Sequence, residues 1–185
     1  MKKFELTTET KLWFGRTLFR IRALISFGSV QAGDIGGWVE KEENLSQKGL
    51  SWVFGNAWVF GNARVFNDAR VFNDAQVFND AQVFGNAQVF GNARVFNDAD
   101  LFKPEHVLVI GAIGSRNDFT TFFRTKNRGI KVSCGCFRGT IEKFLDAVQK
   151  THGDNKHAVV YRMAVELAKA QIDLSANPKE TVYPQ

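Results

Sequence analysis

Cys134 and Cys136 are the only cysteines in this 185-residue chain, and a single glycine separates them. Residues two apart on a β-strand share a face, so both thiols would be offered to one metal ion, as chelation requires. His152 and His157, five apart across an expected helix break, complete the only set from which a zinc site could be drawn. The competing reading is that cysteine packs in interiors and that Gly135-Cys136-Phe137 is a packed strand end. No metal and no cofactor are therefore assigned. A Cys–His nucleophilic pair is unsupported, because no orienting residue or oxyanion donor can be identified. His106 is the remaining candidate base, with a surface or packing role as its alternative.

A second group of residues could bind rather than react. The segment "RTKNRGIKVSCGCFRG" gathers Arg124, Lys126, Arg128, Lys131 and Arg138, with Phe122, Phe123 and Phe137 close by. A basic sheet with interleaved aromatics can hold a single strand or a nucleotide. An ordinary basic hairpin whose rings face the core is the other reading. The net charge of +5 favours polyanions only weakly. The glycines at 33–37 are not followed by the Lys-Ser/Thr of a phosphate loop. "MKKFELTTET" has no apolar core of a signal peptide, and no apolar run is long enough to cross a bilayer. The expectation is a soluble, cytoplasmic chain with reduced thiols and no membrane partner.

These residues must be positioned by a chain whose middle is a repeat. The register is Val-Phe-(Gly/Asn)-(Asn/Asp)-Ala-x, with full units starting at Val53, Val59, Val65, Val71, Val77, Val83, Val89 and Val95 and a truncated unit at Leu101-Phe102. Alternation along a strand puts each alanine and the valine two residues on upon one face, filling a narrow interior. Phe and the residue before Val point the other way. Gly, Asn and Asp supply the bends because they tolerate left-handed backbone conformations.

An aliphatic residue, a small residue two before it, and turn-formers between them resemble the hexapeptide repeat of left-handed parallel β-helices. The resemblance covers about residues 53–102, with 36–52 as an irregular first coil. It implies a β-solenoid with three hexads per turn and turns stacked about 4.8 Å apart. Stacking then forms internal columns such as Val53, Val71 and Val89. Outside it forms three phenylalanine ladders: Phe54, Phe72 and Phe90; Phe60, Phe78 and Phe96; Phe66, Phe84 and Phe102. Ladders of that length should not all stay bare, so they are the predicted contact surface. Many hexapeptide-repeat proteins are acyltransferases that use a histidine base; these hexads contain no histidine.

Beyond Pro104 the period stops. Strands are predicted over 107–113, 119–124 and 129–134, then two helices, the first capped by Thr140 and ended near Gly153. The second is expected to bury Val160, Met163, Ala164, Leu167 and Ala168. The expected organisation is an N-terminal β cap (1–35), the hexapeptide coil (36–103), an α+β domain of about three strands and two helices (104–175) and a tail (176–185).

The markers Gly36-Gly37-Trp38, Asn44-Leu45-Ser46 and Gly135-Cys136-Phe137 resemble a group of small phage and prophage proteins that join such a cap, coil and C-terminal piece. The resemblance implies a phage origin and leaves the mechanism open. The expected function is that of a non-enzymatic binding protein in the host cytoplasm, an oligomeric inhibitor of a host defence protein or a sequesterer of its signal. Its expected partners are a host protein and copies of itself, as a trimer or dimer. The alternatives are a structural phage component such as a spike or fibre segment, an acyltransferase-like or metal-dependent enzyme, and a nucleic-acid- or nucleotide-binding protein.

Overall fold

A computed structural model describes residues 1–177; the expected tail lies almost wholly outside the described residues. The chain opens with an antiparallel hairpin of β1 (Phe4–Trp13) and β2 (Arg16–Ala23). Its turn residues Phe14 and Gly15 have φ of 44° and 76°, the left-handed pair that a two-residue turn needs to match strand twist. β3 (Ile35–Val39) pairs antiparallel with β2 on one edge and parallel with the first hexads on the other. The hairpin thereby extends one side of the repeat region.

The hexads form β4 (Trp52–Val53), β5 (Trp58–Val59), β6 (Arg64–Val65), β7 (Arg70–Val71), β8 (Gln76–Phe78), β9 (Gln82–Val83), β10 (Gln88–Val89), β11 (Arg94–Phe96) and β12 (Asp100–Leu101). Each pairs in parallel with the strand three hexads on, as Val53 with Val71 and Val71 with Val89. The result is a β-solenoid of about four turns whose three sides are separate parallel sheets. The interior is made as the alternation predicts: Val53, Val71 and Val89 and Ala57, Ala75 and Ala93 are all fully buried. The bends use left-handed residues, among them Asn73 and Asn79. At Gly85, with φ +60°, a Cβ would lie 2.3 Å from the carbonyl oxygen of Phe102, so the turns stack there only because the side chain is absent.

Each turn hydrogen-bonds to the next: Phe54 N–H donates to Val71 O at 2.8 Å and Arg70 N–H to Ala87 O at 3.0 Å. The first turn leaves carbonyls with no hexad beneath them, and buried carbonyls need donors. Side chains supply some of these. The buried Lys3 ammonium donates to Ser51 O at 2.8 Å, and Asn44 Nδ2 donates to Ala63 O at 2.8 Å and Gly61 O at 3.1 Å.

The C-terminal part is an antiparallel sheet of four strands, one more than expected: β13 (Val107–Ile113), β14 (Asp118–Arg124), β15 (Ile130–Cys134) and β16 (Phe137–Thr140). The additional strand exists because Gly135-Cys136 forms a two-residue turn, with Gly135 at φ 57°. Helices α1 (Ile141–His152) and α2 (Lys156–Gln171) follow. The Thr140 side chain accepts from Lys143 N–H, and the Asn155 side chain accepts from His157 and Ala158 N–H. Alternation gives the sheet two apolar faces. Phe122 and Val132 pack with Phe144, Val148, Tyr161 and Val165 of the helices, while Phe123 and Val107 join the solenoid core. The layers are therefore solenoid, sheet and helices.

The buried stripe of α2 differs from the expected one. Ala158, Tyr161, Ala164, Val165 and Ala168 are buried, whereas Val160, Met163 and Leu167 are exposed. Three alanines on the buried side let the helix lie close to its neighbours, and the larger residues turn outward. No helix among the described residues is long and apolar enough to cross a membrane.

The filled interior predicts an asymmetry between neighbouring positions. Ala75→Leu, which adds bulk to the closed core, should lower stability by about 1–3 kcal/mol. Arg70→Leu on the outer face should change it by no more than about 0.5 kcal/mol. Urea denaturation of the two variants measures both.

Candidate functional site

The phenylalanines do lie on the outer face of the solenoid, but their environments differ. Phe60 and Phe78 stack at 5.1 Å between ring centroids, and Phe78 and Phe96 at 5.6 Å. The C-terminal sheet covers this ladder: Phe123 meets Phe96 edge-on at 5.0 Å, and the Arg138 guanidinium lies over Phe78 and Phe96 at 5.5 and 5.9 Å. Phe78 and Phe96 are buried beneath the sheet and Phe60 is buried as well, which corrects their expected place in an open contact surface. In the second ladder Phe66 and Phe84 stack at 4.8 Å and are half-buried, and Phe102 is closed off by His106 and Arg124. Only the third ladder has an exposed ring: Phe54 and Phe72 are half-buried, Phe72 stacks on Phe90 at 5.6 Å, and Phe90 is 41% exposed.

The metal set does not assemble. Cys134 ends β15 facing the helices, where it accepts from Thr120 Oγ1 at 3.3 Å and lies 3.8 Å from the Tyr161 hydroxyl. Cys136 is exposed in the turn. The expectation of two thiols on one strand face fails because the chain reverses between them. The His152 and His157 rings are 5.8 Å apart beside Tyr161. Among the described residues no three His, Cys, Asp or Glu side chains converge as a metal-binding group. Ser115 Oγ lies 3.5 Å from His152 Nε2, but among the described residues no carboxylate hydrogen-bonds to this imidazole to orient it for base catalysis. Tyr161 stays protonated, its hydroxyl pushed up to about 12 by burial and then by Cys134.

The basic cluster is also dispersed. Arg124 is buried, donates to Asp100 Oδ2 at 2.6 Å and to Ala176 O at 2.9 Å, and is unavailable to a polyanion. Such a burial requires a partner, and Asp100 provides it. Lys131 pairs with Asp98, and Arg138 lies on the phenylalanine ladder. Lys126 and Arg128 remain exposed at the turn between β14 and β15. The alternation within "TTFFRTKNRGIKV" produces this outcome: adjacent residues divide between the two packed faces, as Phe122 and Phe123 do.

His106 is a junction residue. It is fully buried, edge-on to Phe102 at 4.3 Å between centroids, and its Nδ1 accepts from Phe102 N–H at 3.3 Å. Its Nε2 has no partner among the described residues. Burial first, and then the Arg124 cation, depress its pKa to about 4; Asp173 opposes them and Lys103 adds the smallest push downward. Lys3 is lowered to about 8, again chiefly by burial, with Asp68 opposing.

Two exposed apolar features lie outside the expected contact surface. At the β1–β2 tip Leu12 and Phe14 are 75% and 88% exposed, and Trp13 packs edge-on against Trp58 at 4.9 Å. Neither tip residue belongs to a repeat, and "LWFG" carries no turn signature of the Asn-Gly kind. The other is the Met163 and Leu167 side of α2.

The unfolded chain binds a proton at His106 near pH 6.5, whereas the folded chain does so only near 4. Stability is therefore full above pH 6.5 and is lost as pH falls toward 4, by at most about 3 kcal/mol from this residue. His106→Asn, which keeps an acceptor for Phe102 N–H, should flatten that part of the profile; denaturation midpoints across the window measure it.

No protein-family model matches the chain, and no curated protein is significantly similar to it in sequence.

Proposed function

We propose that the protein is a non-enzymatic binding scaffold whose contact surface is the Phe54, Phe72 and Phe90 ladder. The observation that carries this reading is the unequal covering of the three ladders. The chain's own C-terminal sheet closes over Phe78 and Phe96, and His106 and Arg124 close over Phe102, while Phe90 keeps a large part of its ring in solvent. Exposed aromatics on a rigid support lose little conformational entropy on contact and are enriched where binding energy concentrates. The solenoid supplies that rigidity, because each turn is hydrogen-bonded to the next.

On the hexad pattern we read the coil as left-handed and the N-terminal hairpin as its cap. Self-association, as a trimer or dimer, is the first use of the ladder. A protein of an infected host is the second, a reading that rests on the resemblance to small phage proteins. Inhibition of a host defence protein in the cytoplasm follows from that second use.

At micromolar concentration light scattering should report an oligomer, and Phe90→Glu should convert it to a monomer that keeps the wild-type circular dichroism spectrum and unfolds cooperatively. A wild-type monomer whose capture of host protein is unchanged by Phe90→Glu would remove the ladder from the function.

A further inference from the structure

A cleft of about 300 Å³ lies between the solenoid and the C-terminal sheet, lined by Asp74, Gln76, Asn92 and Arg94 from the coil and by Asp118, Phe119, Thr121, Ser133 and Gly135 from β14, β15 and the turn that follows. Two independently built surfaces meet here. Residues 119, 121 and 123 of β14 point toward the coil, and Thr121 stands directly opposite Ser133 across the strand pair. Thr121 Oγ1 accepts from Arg94 N–H at 3.2 Å, fixing the two surfaces relative to each other.

The polar groups in this cleft are largely unspent. The side chains of Asp74, Gln76, Asn92 and Ser133 make no hydrogen bond among the described residues, although Ser133 is almost wholly buried. Arg94 has no carboxylate partner among the described residues and makes one long contact, 3.4 Å to Gly135 O. Asp118 Oδ1 accepts from Phe119 N–H at 2.7 Å and leaves its second oxygen free. Phe119 stands at the cleft with 37% of its surface exposed. Its ring is backed by Gly111, where a Cβ would lie 2.3 Å from Phe119 Cδ1, so the aromatic plane is seated against bare backbone.

We propose that this cleft binds a neutral saccharide, one hexose ring or two. Two carboxylates and one guanidinium line the cleft, a balance that disfavours phosphates and other polyanions. The interleaving of pure acceptors (Asp74, Asp118), a pure donor (Arg94) and groups that do both (Gln76, Asn92, Ser133) suits hydroxyls, which donate and accept at once. The apolar ring of Phe119 suits the C–H face of a pyranose. The cleft's volume is at the lower end for small-molecule sites, and its lining is too polar for an apolar ligand. This site is separate from the phenylalanine ladder and does not depend on the scaffold reading.

The test is saturation-transfer NMR on the full chain with glucose, N-acetylglucosamine, maltose and adenosine, each at about 10 mM, a concentration that detects millimolar affinity. A saccharide should receive saturation, and Phe119→Ala and Asn92→Ala should each weaken its binding about tenfold. Cys136→Ser, outside the lining, should leave it unchanged. No saccharide signal, a signal that survives both substitutions, or adenosine binding in place of the sugars would overturn the assignment.

Discussion

One steric constraint organises the molecule: each side of the solenoid has room inside for one alanine and one branched aliphatic residue per hexad. Val77 and Ala75 fill that space completely, so the phenylalanine after each valine has to face outward. Because every hexad repeats the choice, the rings fall into register and stack. The same regularity lets successive turns satisfy one another's amide groups, and it leaves the two ends of the stack as the places where other chemistry is required.

At the first turn that chemistry is polar. A lysine and an asparagine side chain reach backbone carbonyls that no hexad supplies with donors. Burial lowers the Lys3 pKa, yet its ammonium is surrounded by acceptors, so its energetic cost is partly offset. At the last turn the chemistry is mixed. Arg124 and Asp100 pair, His106 fills the space over Phe102, and the sheet takes one phenylalanine ladder as part of its own packing. A surface that would be a liability if bare is thus partly used within the chain: Phe54, Phe66, Phe72 and Phe84 are half-buried, and Phe90 is the exposed ring of the three ladders.

The hexad period made the solenoid legible, since its valine and alanine positions follow from alternation alone. The capping residue Thr140 and the break at Gly153 were readable for the same local reason. Coverage was not. Whether Phe96 meets water or Phe123 depends on how a separate sheet docks, and no local pattern encodes that. Arg124 looked like a surface cation because its partner Asp100 belongs to the last hexad rather than to its own hairpin. The stripe of α2 shares only Ala164 and Ala168 with the expected one, because both sides of that helix carry apolar residues and only packing decides which side is buried.

The division of the phenylalanines into covered and open ladders can be measured with fluorophenylalanine-labelled protein, using ¹⁹F NMR and a soluble paramagnetic agent. The Phe90 resonance should relax strongly, those of Phe54, Phe66, Phe72 and Phe84 less, and those of Phe78, Phe96 and Phe102 should be protected. Protection of Phe90 together with exposure of Phe78 or Phe96 would contradict this division.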